Sequence, residues 1–277
     1  MLRSLTTART LAALLSLAAT AACGDSTDPN DIPYGQTTFV MVMNPVVNDE
    51  NDEAVPAPGS ERSGITAAVQ GGPSAVTSLA GVAVLGPVAG GSKVVDFSGP
   101  NTGTLNLSIV EGDLREVAVS LDASGAEVMA EIGYQFGAAV VELSPTMTIA
   151  EVNAALAASN SVVFMHAGIY TGDLVFSGSN VTLFGEGATG GTVTLQGNIS
   201  VTGSQNRIRG AHITGNLDVA ASNFGMSFTR VGGTTSVSGS SSVMLQNEFC
   251  GAVTVTGSGA KLLGNAGLAP IAAPAGC

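Results

Sequence analysis

Residues 195–262, LQGNISVTGSQNRIRGAHITGNLDVAASNFGMSFTRVGGTTSVSGSSSVMLQNEFCGAVTVTGSGAKL, repeat themselves every 18 residues. Stacked at that interval, apolar residues fall into columns. One is Leu195, Ile213, Val231, Phe249; a second is Ile199, Leu217, Thr235, Val253, Ile271. A third is Val201, Val219, Val237, Val255, and a fourth is Ile208, Met226, Met244, Leu262. Fixed-period self-similarity marks a solenoid, in which each repeat buries its face only against its neighbours. Within a repeat the apolar residues alternate, as in Leu217-Asp218-Val219 and Val253-Thr254-Val255, which is a strand signal with the apolar side inward. Gly215, Gly233 and Gly251 form a column of their own and are expected at corners. The fold class expected is all-β, with a parallel β-helix.

Eighteen residues per coil also suits a left-handed hexapeptide helix, and Val201, Ile213, Val219, Val231 and Val237 fall on its sixfold grid. The third face of that grid carries Arg207, Gly225 and Lys261 and fails, which favours a right-handed helix. The entry, residues 161–187, reads SVVFMHAGIYTGDLVFSGSNVTLFGEG. This resembles the first coils of the right-handed β-helix, pectin-lyase-like superfamily, where a PGxYxG turn precedes VTLxGEG. Ala167 replaces the Pro, while Gly168, Tyr170 and Gly172 stand in place. The resemblance covers roughly the last 40% of the chain, residues 161–277, and implies a fold rather than an activity.

The rest of the chain is read outward from that domain. Residues 144–160 change period: Ile149, Val152, Ala155 and Leu156 share a helix face, and Thr148 with Glu151 makes a capping box. This helix is expected to cap the open end of the solenoid, which would otherwise expose strand edges. Residues 37–143 read as seven or so short strands with turn residues between them, a β-sandwich pattern. The part from Gly64 to Ser98 resembles the carboxypeptidase-regulatory-like sandwich, with turns at Thr77–Gly81 and Pro87–Gly90. That resemblance implies a spacer or binding module without catalysis of its own. Asn48 to Glu53, NDENDE, is read as a solvated acidic loop, since EF-hand spacing and its Gly are absent.

Residues 23–36 look like a flexible tether, and residues 1–22 like a signal peptide. Arg3 and Arg9 supply its charge, Leu11 to Ala19 its apolar core, and Ala21-Ala22-Cys23 its small-residue end. The series resembles a bacterial lipoprotein signal, although Thr20 stands where Leu is commonest. The resemblance implies lipidation at Cys23, membrane attachment through that lipid, and, with Gly24 rather than Asp following, the outer membrane of a cell envelope. Cys250 and Cys277 then remain, in an oxidising compartment, to form a disulfide.

The formal net charge is −12, with nine basic residues against 21 acidic, and the acidic excess lies ahead of residue 161. No basic footprint for nucleic acid is present. For chemistry, the best cluster is Arg207, Arg209, His212, Asp218 and Arg230, a weak candidate for binding an acidic sugar. Arg207 and Arg209 flank Ile208 and are expected to point outward; His212, Arg230 and Glu248 align in one outward column. Glycoside hydrolysis calls for two positioned carboxylates, and Asp218 has no second in its column. His166 and His212 lie far apart in register, so no metal set forms and no cofactor is expected. The period never slips between Leu195 and Leu262, so no coil carries a tall loop; the extra length is Ala188 to Thr192. The expectation is a non-catalytic envelope lipoprotein with a structural or surface-binding role, its partner a polysaccharide or another envelope protein. A carbohydrate-active lyase or hydrolase, or a degenerate relative of one, is the alternative, and a left-handed acyltransferase a distant third.

Overall fold

The computed structural model describes residues 29, 32, 35–48, 62–135, 139–186, 192–269 and 271–277. The signal segment, Cys23, the acidic residues 49–53 and the extra turn at 188–191 lie outside the described residues. Among the described residues the protein is all-β with one short helix. Its front part holds β1 (Thr38–Met43), β2 (Thr66–Val69), β3 (Ser74–Val76), β4 (Val82–Leu85), β5 (Gly91–Ser98), β6 (Gly103–Ile109), β7 (Leu114–Asp122) and β8 (Gly125–Tyr134). These form two four-stranded sheets, β4-β1-β7-β8 and β3-β2-β5-β6. The expected turns fall between β3 and β4 and between β4 and β5.

Strand β1 reads TFVMVM because both of its faces are covered. Phe39, Met41 and Met43 join Val95, Phe97 and Leu107 in the core between the two sheets. Val40 and Val42 turn the other way and meet the second half of the chain. A strand buried on both sides shows a continuous apolar run rather than clean alternation.

The second half begins with β9 (Ala139–Leu143) and α1 (Ile149–Ala157). A first coil follows as β10 (Ser161–Met165), β11 (Gly168–Thr171) and β12 (Leu174–Phe176), and a second as β13 (Val181–Gly185), β14 (Val193–Gln196) and β15 (Ile199–Val201). The third is β16 (Arg207–Arg209), β17 (Ala211–Ile213) and β18 (Leu217–Val219); the fourth is β19 (Gly225–Ser227), β20 (Arg230–Val231) and β21 (Thr235–Val237). The fifth is β22 (Val243–Leu245), β23 (Glu248–Phe249) and β24 (Val253–Val255), and β25 (Lys261–Leu263) ends the series. Strands are dealt in rotation to three parallel sheets, β25-β22-β19-β16-β13-β10-β9, β11-β14-β17-β20-β23 and β12-β15-β18-β21-β24. This is a solenoid-like stack.

The four apolar columns are its registers: Leu195, Ile213, Val231 and Phe249 pair in turn, as do Ile208, Met226, Met244 and Leu262. The columns of Ile199 and Val201 pair likewise as far as Val253 and Val255. Ile271 departs from its expected place: β25 is the last strand among the described residues, and Ile271 sits in the tail, its N–H donating to Leu268 O. Strand β9 also departs from expectation. Its Val140–Leu143 alternation belongs with the front strands by pattern, yet it pairs parallel with β10 and starts the seven-stranded sheet.

Two repeating corners hold the coils in step. At one, Asn160, Asn180, Gln205, Asn223 and Ser241 take φ of 56–61°, a left-handed conformation that Asn tolerates best among non-glycine residues. Each donates its N–H to the carbonyl of the serine one coil on, Ser179, Ser204, Ser222, Ser240 and Ser258, at 2.8–3.0 Å. The glycine column 197, 215, 233, 251 sits at corners where a Cβ would clash, as expected, although none of the four has positive φ. A Cβ on Gly215 or Gly251 would run into the carbonyl of the glycine one coil before it, and one on Gly233 into Gly215 and the Asn216 side chain. Glycine is there for close approach of backbone to backbone. Gly233→Ala is therefore expected to cost about 1–3 kcal/mol through overpacking, read as a lowered urea midpoint with an unchanged denaturant slope.

Both ends of the stack are covered. Helix α1 buries Val152, Ala155 and Leu156 at the first coil, and its capping box is formed: Thr148 Oγ1 accepts from Glu151 N while Glu151 Oε2 accepts from Thr148 N. At the far end Val47 bridges antiparallel to Leu263, and Asn48 N donates to Leu262 O. Asn48 also prolongs an asparagine ladder: Asn247 N donates to Asn265 Oδ1, and Asn265 N donates to Asn48 Oδ1 at 2.8 Å. The tail then folds over β23, where Phe249 N donates to Ala266 O.

Candidate functional site

The five candidate side chains lie on three different sheets. Arg207 and Arg209 are on β16, His212 and Arg230 on β17 and β20, and Asp218 on β18. They form no single constellation.

Arg209 corrects the expectation of an outward, solvent-facing pair. It does point away from the core of the stack, but that side is covered by the front sheet β4-β1-β7-β8. Its side chain is 1% exposed, and Nε donates to Glu116 Oε1 at 2.7 Å; Glu116 is fully buried. The guanidinium lies 5.1 Å from the Phe184 ring centre and 5.3 Å from that of Phe228. Its Nη2 donates to the carbonyl of Pro29. Tyr134 donates its hydroxyl to Glu116 Oε2 at 3.3 Å and is hydrogen-bonded to the Ser227 hydroxyl. Burial pushes the Glu116 carboxyl up and the Arg209 charge opposes that rise; burial also raises the Tyr134 phenol. Around this network Val40, Val42, Ile132, Val162, Leu245 and Leu263 make an apolar seam. It is a polar lock inside a buried, apolar interface.

Arg207 is half-buried beside it. Nη1 donates to Asn180 Oδ1 at 3.2 Å and Gln205 O at 2.8 Å, and desolvation lowers its pKa.

The expected column is formed on the second sheet, with His212 opposite Arg230 and Arg230 opposite Glu248. Arg230 Nη1 lies 3.8 Å from Glu248 Oε2, and both are partly exposed, so the pair contributes about 0–1 kcal/mol. Arg230 Nη2 donates to Gly276 O at 2.8 Å, beside the Cys250–Cys277 disulfide that closes the tail. The column holds the tail down. Burial lowers the His212 pKa, the Arg230 charge lowers it further, and Glu248 opposes. The folded state thus binds fewer protons at this site than the unfolded chain, so stability is full above the ordinary value of 6.5 and falls as pH drops below it. His212→Asn is expected to flatten the stability–pH curve just below pH 6.5, measured by urea midpoints at stepped pH.

Asp218 is exposed on the third sheet, in register between Ser200 and Ser236, with no second carboxylate in that column. Among the described residues no group of three or more His, Cys, Asp or Glu is placed to hold a metal ion. His166, Glu142 and Glu186 come together at the entry, with His166 Nε2 3.6 Å from Glu142 and Nδ1 3.4 Å from Glu186. Glu186 is already engaged there, accepting from Ala167 N at 2.7 Å.

Sequence reasoning missed Glu116. The signal was present: Leu114, Glu116 and Ala118 share one face of β7, so a charge sits among residues that must be buried. No family model, no curated protein and no solved structure matches this chain.

Proposed function

We propose that this chain is a non-catalytic lipoprotein of the bacterial envelope, attached to the outer membrane through Cys23, with a structural or surface-binding role. In this reading the front part is a β-sandwich of the carboxypeptidase-regulatory kind. The stack is a right-handed parallel β-helix of the pectin-lyase kind, and a polysaccharide or another envelope protein is the partner. The observation that carries it is how the basic groups are occupied. Arg209, one of the candidate residues for binding an acidic sugar, is shut into an ion pair with Glu116. Arg230 holds the tail carbonyl of Gly276. Catalysis relies mainly on preorganised charge aimed at the reacting atoms, and here the charges are aimed at the protein itself.

The test has two arms. Labelled palmitate is expected to enter the wild-type protein and not a Cys23→Ser variant; equal incorporation would remove the anchor. Incubated with pectate or alginate, with and without Ca²⁺, the protein is expected to release neither unsaturated products nor new reducing ends. Turnover lost in His212→Ala would instead favour the carbohydrate-active alternative.

A further inference from the structure

The tether is not free over its whole length. Residues 23–36 were expected to swing as one flexible linker, yet the Pro29 carbonyl is held by Arg209, and Ile32 is buried in the seam between the front sheet and the stack, 6% exposed. Gly35 then lies against the turn before β7, its carbonyl 3.7 Å from where a Cβ on Gly112 would sit, and Thr37 Oγ1 accepts from Gly112 N at 2.6 Å. The chain enters the body along one edge, where β1 and β7 begin and β8, β16 and β19 end.

We infer that this edge faces a lipid surface at short range, so that the membrane is a partner of a defined end of the body. The inference rests on the lipid anchor at Cys23. Pro29 lies six positions after Cys23, and six residues span at most about 22 Å. The opposite end of the front part is the hairpin at Asp122–Gly125. Glu116, at the pinned network, lies six residues from Asp122 along β7, roughly 20 Å. A tether stretched fully back along the strand would only just draw level with that hairpin, with no slack for headgroups. Bringing the near edge to the bilayer needs no stretching. The chain is acidic, with a net charge of −12, so attraction to anionic lipid does not set this orientation; the short length of chain between Cys23 and Pro29 does.

The experiment uses the chain from Cys23 onward, which contains every described residue. Its Cys23 thiol is coupled to maleimide-headgroup lipid in phosphatidylcholine vesicles carrying nitroxide headgroups. A fluorescent amino acid replaces either Val110, exposed on the near turn, or Ser124 on the far hairpin. Quenching at position 110 is expected to exceed that at position 124 by at least about threefold, given the separation of the two ends. Inserting 20 Gly/Ser residues between Ser26 and Thr27 is expected to erase the difference without affecting folding. Equal quenching at the two positions in the uninserted chain, or stronger quenching at 124, would overturn the inference. Because the lipid is attached chemically, its outcome is independent of the palmitate result, which tests the anchor alone.

Discussion

Arg209→Ala will destabilise the protein by about 3–5 kcal/mol, because it strands Glu116 as an uncompensated, fully buried carboxylate. The Glu116 side chain is fully buried, and its remaining partners are hydroxyl groups, the phenol of Tyr134 among them. They can donate hydrogen bonds but supply no positive charge. The loss also removes the guanidinium packed over Phe184 and Phe228. The control is the double variant Arg209→Met with Glu116→Leu, which removes both charges while keeping volume. It is expected within about 1 kcal/mol of wild type, or above it, since a buried ion pair replaced by well-packed apolar groups is often neutral or stabilising. Urea denaturation of the three proteins decides the matter. A single variant that loses less than about 1 kcal/mol would mean that Glu116 is reached by water and that the interface is looser than described.

Breaking the Cys250–Cys277 bond is the second large effect. Its sequence separation is 27, and closing a loop of that length stabilises by about 3.5 kcal/mol in the chain-entropy picture. The tail keeps other holds, including Arg230 on Gly276 and Phe249 N on Ala266 O, but these are single hydrogen bonds at a partly exposed end. The Cys250→Ser, Cys277→Ser double variant is expected to lose most of the 3.5 kcal/mol. Wild type treated with a dithiol should fall to the same midpoint, and the variant should not respond to it. Reduction that leaves the wild-type midpoint unmoved would show that the tail stays docked without the bond.

The stack was legible because its registers are written in the sequence: pairing at a spacing of 18 repeats the same apolar type at the same column. Thr148 and Glu151 were legible for a local reason, as a capping box needs only residues three apart. Arg209 was legible as pointing away from the stack core but not as buried, because alternation reports which face a residue takes, not what covers that face. What covers it is a sheet some 90 residues earlier, and nothing in a period of 18 refers to it. Strand β9 was misplaced for a related reason: as the first strand of its sheet it has no predecessor to repeat. Asn48 was read as part of an acidic run, whereas its side chain is the last rung of a ladder that begins at Asn247.

Along the seam between the front part and the stack, two polar grips lie far apart. Glu116 grips Arg209 in the third coil, and Asn48 grips Asn265 just past the last strand. Repeat proteins ordinarily change length with ease, since each unit answers only to its neighbours. Here the distance between the two grips works as a gauge. Gaining or losing one 18-residue coil between them would displace Asn265 by about 4.8 Å against Asn48. The asparagine ladder would end open, and the seam between the front sheet and the stack would fall out of step. The number of coils between Arg209 and Asn265 is therefore tied to the front part, and adding a coil there means rebuilding both.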